Sequence, residues 1–275
     1  PTGIEITDMV MEVLRPVDPK LSFSPLEVSI HGSVHNPIDG RLYILVDDDL
    51  LQLDDNSNKK IIDITQGISG RSIVSDINRD VIYVGDAFGN VTAFSLSDSR
   101  QVESIPSDAD PSESEPIETM AIDIFGVVWA AVGCKLHYLM PSKPAWNSLN
   151  YCTGSEIETP VDMHLEGRQL FLATEEHGLH VIDYNISAND SSTIEIMRNL
   201  IWDDSNQLSG NSISDLAESN DVLYIATTDS GIDRFDVSST SWLPSWSTSN
   251  WLATDEVVGL ASSPGWLYIL GDQLV

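Results

Sequence analysis

Along the chain, a short apolar run bearing one aromatic residue is followed by a tight polar or glycine turn and then by a second, alternating run. Six copies of this pattern occur: Gly40 to Asp54, Asp80 to Leu96, Gly126 to Met140, Gly167 to Tyr184, Asp221 to Val237 and Gly265 to Val275. Their aromatic positions Tyr43, Tyr83, Trp129, Phe171, Tyr224 and Tyr268 stand 40, 46, 42, 53 and 44 residues apart. A period of about 40 to 50 residues with four strands per unit is that of a propeller blade. In each copy the first run reads as a blade's second strand and the run after the turn as its third, with flanking segments as the innermost and outermost strands.

The fifth copy is the fullest: SISDLAES (Ser212 to Ser219) predicts the inner strand, DVLYIATT the second, GIDRFDV the third and SWLPSW the outer one. Inner strands are likewise expected from PLEVSIHGSV (Pro25 to Val34), IETMAIDIF, PVDMHLEG and EVVGLASS. Asn78-Arg79-Asp80, Pro37-Ile38-Asp39-Gly40 and Ser219-Asn220-Asp221 supply turn-forming residues between first and second strands. The acidic, Pro-containing stretch Ser107 to Pro116 reads as a surface loop. No segment has the pattern of an amphipathic helix. The expectation is an all-β fold in which residues 1–275 form one propeller domain of six four-stranded blades, or seven if the chain is a fragment. Val275 falls within the expected third strand of the sixth blade. The alternating stretch Gly3 to Leu14, within residues 1–20, is expected to complete that blade and close the ring; the alternative is a piece cut from a longer propeller.

Charge narrows the partners. Forty-three acidic residues against 13 basic ones give a formal net charge of -30. Without clustered Lys and Arg, nucleic acid and anionic membrane surfaces are excluded as expected partners, and no apolar run approaches the roughly 20 residues of a membrane-spanning helix. In a propeller the turns between second and third strands share a face with the connections between blades. Those turns contain Asp47, Asp48, Asp86, Glu175, Glu176, His177, Asp229 and Asp272, so an acidic rim is expected round one end of the channel. Each is more simply a solvated turn residue. Several carboxylates together suit Ca²⁺, which is the one ion the rim suggests; no cofactor is required. Asp76-Ile-Asn78-Arg-Asp80 opens like a calcium loop but lacks the later Gly and Glu. Among six histidines, His177 and His180 lie closest in sequence, and they straddle a turn. His31 and His164, on inner strands, face the channel in an enzyme reading and the core in a structural one. Asp233 is expected to pair with arginine across strands. No Gly-x-Ser-x-Gly elbow is present. Trp242, Trp246 and Trp251 surround the fifth outer strand, either packed between blades or offered to a ligand.

The two cysteines carry the redox information. If KLHYLM and SLNYC are antiparallel strands joined around Pro141 to Pro144, the hairpin centre lies near residue 143 and Cys134 faces Cys152. A non-hydrogen-bonded pair is close enough for a disulfide; the other reading is two small core residues. A disulfide implies an oxidising compartment. Sequons at Asn90, Asn185 and Asn189 are compatible with an extracellular chain.

Two stretches have family resemblances. Leu208 to Asp236 (LSGNSISDLAESNDVLYIATTDSGIDRFD) resembles the propeller repeat of periplasmic sensor regions in two-component regulators. Gly167 to Ser187 (GRQLFLATEEHGLHVIDYNIS) is similar to the LVIVD-type repeat of bacterial and archaeal surface proteins. The first copy departs from the pattern with Asp47 to Asp49 where glycine is usual, and the third with a cysteine at that turn. The resemblance implies an extracytoplasmic propeller, periplasmic, extracellular or at the cell surface, that senses or adheres and has no catalytic residues to carry over. The function expected is non-enzymatic recognition of a protein, glycan or small ligand on the acidic face. The alternative is a hydrolase or lyase with a His and carboxylate site in the channel.

Overall fold

The structure is a computed structural model that describes residues 30–36, 41–46, 49–53, 59–62, 69–76, 78–95, 101–105, 115–141, 146–152, 158–186, 194–263 and 265–271. The first blade comprises β1 (Ile30–Asn36), β2 (Arg41–Val46), β3 (Asp49–Leu53) and β4 (Lys59–Ile62). The second comprises β5 (Gly70–Asp76), β6 (Val81–Asp86), β7 (Val91–Ser95) and β8 (Gln101–Ile105), and the third β9 (Thr119–Ile122), β10 (Val128–Val132), β11 (Lys135–Leu139) and β12 (Trp146–Asn150). β13 (Pro160–Glu166), β14 (Gln169–Thr174), β15 (Leu179–Ile186) and β16 (Ile194–Trp202) form the fourth, and β17 (Ile213–Ser219), β18 (Val222–Thr227), β19 (Gly231–Asp236) and β20 (Ser241–Trp246) the fifth. β21 (Val257–Ser263) pairs with β22 (Trp266–Gly271). All pairings are antiparallel between consecutive strands, and no helix occurs among the described residues.

Among the described residues, the expectation of six or seven four-stranded blades is therefore corrected to five blades plus a two-stranded sheet. The consequence shows in burial. Ile225 and Ala226 of β18 are 0 % exposed, whereas Ile269 and Leu270 at the matching positions of β22 are 40 % and 45 % exposed, because no third strand lies beside β22 among the described residues. The closing strand expected at Gly3 to Leu14, Val275, and most of the Ser107 to Pro116 loop lie outside the described residues.

The inner strands β1, β5, β9, β13, β17 and β21 pack side by side in that order, so each blade from the second to the fifth presses both faces against its neighbours. This explains why second strands read as continuous apolar runs rather than strict alternation. Trp129, Ala131 and Leu136 of the third blade meet Met163, Leu170 and Tyr184 of the fourth; Phe171, Leu179 and Val181 of the fourth meet Leu216, Leu223 and Phe235 of the fifth. Each such apolar side chain contributes about 1.5–3 kcal/mol when fully buried. Trp202, Phe235 and Trp242 stack at 4.8–5.3 Å in that second seam, which settles Trp242 as inter-blade packing.

Local turn chemistry sets the hairpins. Asn220 and Asp221 both adopt positive φ, 54° and 61°, as a tight hairpin between β17 and β18 requires. Asp76 pairs with Arg79 across the β5–β6 turn, and Arg79 donates to the Gly126 carbonyl of the third blade at 2.5 Å. The Asp76 to Asp80 stretch is thus a strand turn tied to the next blade.

Candidate functional site

The inner strands enclose a cavity of ≈ 400 Å³ lined by Ile30, His31, Ser72, Glu118, Asp162 and Asp215, among others. Most of these residues stand near the starts of their strands, so the cavity opens on the face where each chain segment enters a blade. Register irregularities recur there, between Pro160 and Asp162 and between Ile213 and Asp215 for example. Such bulges re-aim a side chain, and here they turn Asp162 and Asp215 towards the channel.

The same face carries the turns between second and third strands. Ala87, Glu175 and Thr228 in these turns donate backbone hydrogen bonds to Ser69, Thr159 and Ser212, the residues leading into the inner strands, at 2.8, 3.0 and 3.0 Å. The expected rim residues separate there into two kinds. Glu175, Glu176 and Asp229 are exposed, with His177 half-buried beside them. Asp86 is buried: its carboxylate accepts from Phe88 N, Asn90 N and Asn90 Nδ2 at 2.8–3.0 Å and so closes its own turn. Thr174 and Thr227 do the same work in the fourth and fifth blades, each accepting a turn N–H and donating to a glycine carbonyl. Asp47, Asp48 and Asp272 lie outside the described residues. No group of three or more His, Cys, Asp or Glu side chains suited to a metal ion occurs among the described residues. Beside the carboxylates, Phe88 and Trp251 project from this face, 51 % and 78 % exposed.

Asp162 and Asp215 come together at the channel. Asp162 Oδ1 accepts from Met163 N at 2.8 Å and Oδ2 from Leu216 N at 3.0 Å. Asp215 Oδ1 accepts from the same Leu216 N at 2.9 Å, and Oδ2 from Leu260 N at 2.6 Å. Burial, then the neighbouring Asp215 charge, holds Asp162 well above the usual carboxylate range; burial also raises Asp215. Sequence reasoning passed over this pair, although both residues stand nine positions before their blade's marker aromatic, Phe171 or Tyr224. That shared offset was the available signal.

Histidines resolve into different roles. His31 is in the cavity wall. His164 lies 6.3 Å from the Phe171 ring, and burial pushes its pKa down, partly opposed by Glu218. His180 is fully buried, with its Nε2 2.5 Å from Glu158 Oε2. Asp233 does not pair with an arginine, contrary to the sequence expectation. It accepts from Ser209 N, Ser209 Oγ and Ser245 Oγ at 2.5–2.7 Å, anchoring the connection into the fifth blade. Arg234 instead stacks over Trp246 at 4.5 Å.

Cys134 and Cys152 form a disulfide with Cα atoms 5.2 Å apart. The register is offset by one from that expected: Lys135 faces Asn150, Tyr151 N donates to Cys134 O, and Cys152 lies just past the strand. Tyr151 is wedged beside the bridge, its hydroxyl donating to Gly133 O at 2.5 Å, its carbonyl accepting from Asn199 and its ring edge-on to His180. Burial, with Glu158 and Glu115 nearby, raises the Tyr151 pKa, so the phenol remains a donor.

Four-stranded antiparallel blades arranged around a channel define a β-propeller. No protein-family model matches the chain, and no curated protein matches it as a relative. Among solved structures it is similar to U3-55K, with a TM-score of 0.62 and 10 % identity, covering 88 % of this chain and 69 % of that one. It is similar also to the WD40 repeats of RRP9 (TM-score 0.62, 10 % identity, covering 88 % and 68 %) and to a chain of the mitotic checkpoint complex (0.58, 11 %, 91 % and 75 %). At these identities the likeness is one of fold.

Proposed function

We propose that this chain is a non-enzymatic recognition propeller that binds a protein partner through the channel-mouth face, the partner presenting basic side chains beside apolar ones. The observation that carries the reading is the conjunction on one face of an open cavity, exposed Glu175, Glu176 and Asp229, and projecting Phe88 and Trp251. Exposed aromatic groups give an interface its apolar anchors, and uncompensated carboxylates steer and orient a cationic partner. The fold likeness to WD40 repeats and to a chain from a multiprotein complex supports a protein ligand over a glycan or small molecule. We place the protein outside the cytoplasm, at a cell surface or in a periplasm, on the support of the Cys134–Cys152 bridge and of the sensor-like Leu208 to Asp236 repeat. The hydrolase or lyase alternative draws on His31 sharing a cavity with Asp162 and Asp215. Against it, all four oxygens of those carboxyl groups accept backbone N–H groups and so serve the fold.

The test compares two variants of equal charge change. One carries Glu175→Gln, Glu176→Gln and Asp229→Asn at the mouth; the other carries Asp80→Asn, Glu195→Gln and Asp221→Asn on other surfaces. Fluorescence anisotropy with a labelled peptide of alternating Lys, Arg and Leu should show the mouth variant at least about tenfold weaker than the control, on the scale of 1.4 kcal/mol per decade. Equal weakening by both would reduce the binding to general charge and overturn the reading.

A further inference from the structure

We propose that Asp162 and Asp215 act as a proton-operated clasp: one hydrogen shared between their carboxyl groups holds inner strands β13, β17 and β21 together around the channel, and its loss loosens them. The geometry favours a shared hydrogen. The Leu216 N–H lies 3.0 Å from an oxygen of Asp162 and 2.9 Å from an oxygen of Asp215, so both carboxyl groups converge on one donor. Met163 N and Leu260 N serve the outer oxygens, but the donor between the two groups is shared, and like carboxylates sharing a site retain one proton. With Asp162 protonated, its O–H donates to Asp215, which accepts as the carboxylate; the hydrogen bond joins the two side chains that bridge the blades. Asp162 reaches forward from the fourth blade to Leu216 in the fifth, and Asp215 reaches from the fifth to Leu260 in the sixth sheet. The clasp thus runs through three successive inner strands.

Among the described residues no Lys or Arg lines the cavity around the pair, and His31 is the group of its wall that can carry positive charge. The pair's own cross-strand partners are Ala173 and Ala226. On β21 the facing residue is Gly259, where an added Cβ would lie 3.5 Å from Asp215 Oδ2, and Val257–Ser263 contains no ionisable side chain. The cavity wall receives His31 from β1, Ser72 from β5 and Glu118 from the segment leading into β9. Further along the channel stand His164 of β13 and Glu218 of β17, which interact with each other.

The sign follows from linkage. Both folded carboxyl groups are held above their unfolded values by burial. The native chain therefore keeps a proton that the unfolded chain gives up. The clasp contributes fully below the ordinary Asp pKa of about 3.9, and its contribution falls as pH rises towards the folded value, by up to about tenfold in the folding constant per pH unit. His164, whose pKa is lowered, gives a slope of opposite sign in the acid range, so the dyad must be isolated by difference.

Urea unfolding of the full chain is to be measured from pH 5 to 8 in 0.5 M NaCl, where the Debye length is only about 4 Å and diffuse charge effects are suppressed. Asp162→Asn retains a carbonyl acceptor for the backbone and an N–H₂ donor towards Asp215, which makes it a permanent copy of the protonated form. The expected result is that the wild-type folding constant falls with pH by at least about tenfold more than that of the variant. Infrared spectra of the wild type at pH 5 should contain a protonated-carboxyl stretch that weakens towards pH 8 and is missing from the variant. Parallel pH slopes, or no protonated carboxyl in the wild type, overturn the proposal. If Asp162→Asn fails to fold, Asp215→Asn and the wild-type infrared spectrum decide in its place.

Discussion

Asp86 and Asp229 sit in equivalent turns with the same side chain and different work. Asp86 is 3 % exposed and takes three hydrogen bonds from its own turn; Asp229 is exposed and accepts from Ser230 Oγ. Removing the Asp86 carboxylate leaves two backbone N–H groups beside a buried strand end without their acceptor, and an unsatisfied buried donor costs about 1–3 kcal/mol. Asp86→Ala should therefore lose roughly 2–3 kcal/mol by urea unfolding, while Asp229→Ala stays within about 0.5 kcal/mol of wild type, the usual range for an exposed site. Equal effects at the two positions would contradict this division between a structural carboxylate and one left free for a partner. The glycines of neighbouring turns follow similar logic. Gly178 and Gly231 have φ of 81° and 92°, and a Cβ at either would collide with the Trp202 or Trp246 carbonyl.

At the scale of elements, the third blade carries the one covalent tie. Its Cys134–Cys152 bridge joins the β10–β11 turn to the segment leaving β12, with a sequence separation of 18. The chain-entropy contribution for a loop of this size is about 3 kcal/mol. Tyr151, beside the bridge, also links through Asn199 to the fourth blade, so the tie should stabilise a seam as well as a hairpin. The double variant Cys134→Ser, Cys152→Ser should lose about 2–4 kcal/mol in urea unfolding, and adding reductant should lower the stability of the wild type alone. A wild type unaffected by reductant, with two thiols open to alkylation after purification under oxidising conditions, would contradict the bridge.

The whole molecule bears a net charge of -30. Compacting so many carboxylates costs self-repulsion, which salt screens over a Debye length of roughly 10 Å at 0.1 M. The melting temperature should therefore climb with NaCl. Millimolar Ca²⁺ should add little at constant ionic strength, since a specific site would raise it by mass action and the described residues bring no suitable ligand group together. A calcium-specific rise would point to the acidic rim, with Asp47, Asp48, Asp86 and Asp229 the first to neutralise. Indifference to both salts would remove the electrostatic argument.

Strand identity, turn positions and the repeat were determined by the sequence itself, because each rests on interactions within a few residues. Second strands such as Leu170 to Ala173 are apolar throughout since both faces meet other blades, and Ser219-Asn220-Asp221 is a turn because Asn and Asp tolerate positive φ. The disulfide pairing was one of two readings open to the sequence, since hairpin counting brought the cysteines opposite one another while leaving their register uncertain by one residue. Other features were decided only in three dimensions. Burial of the sixth sheet depends on strands beyond the segment itself, so no pattern within Trp266–Gly271 reveals that Ile269 and Leu270 stand exposed. Whether an acidic turn residue points inward like Asp86 or outward like Asp229 depends on which backbone donors the folded turn presents. Asp162 and Asp215 lie in different blades, and their convergence on the Leu216 N–H depends on how two inner strands pack. Local propensity acts along the chain, whereas burial and charge proximity are properties of neighbours that only the side-by-side packing of blades brings together.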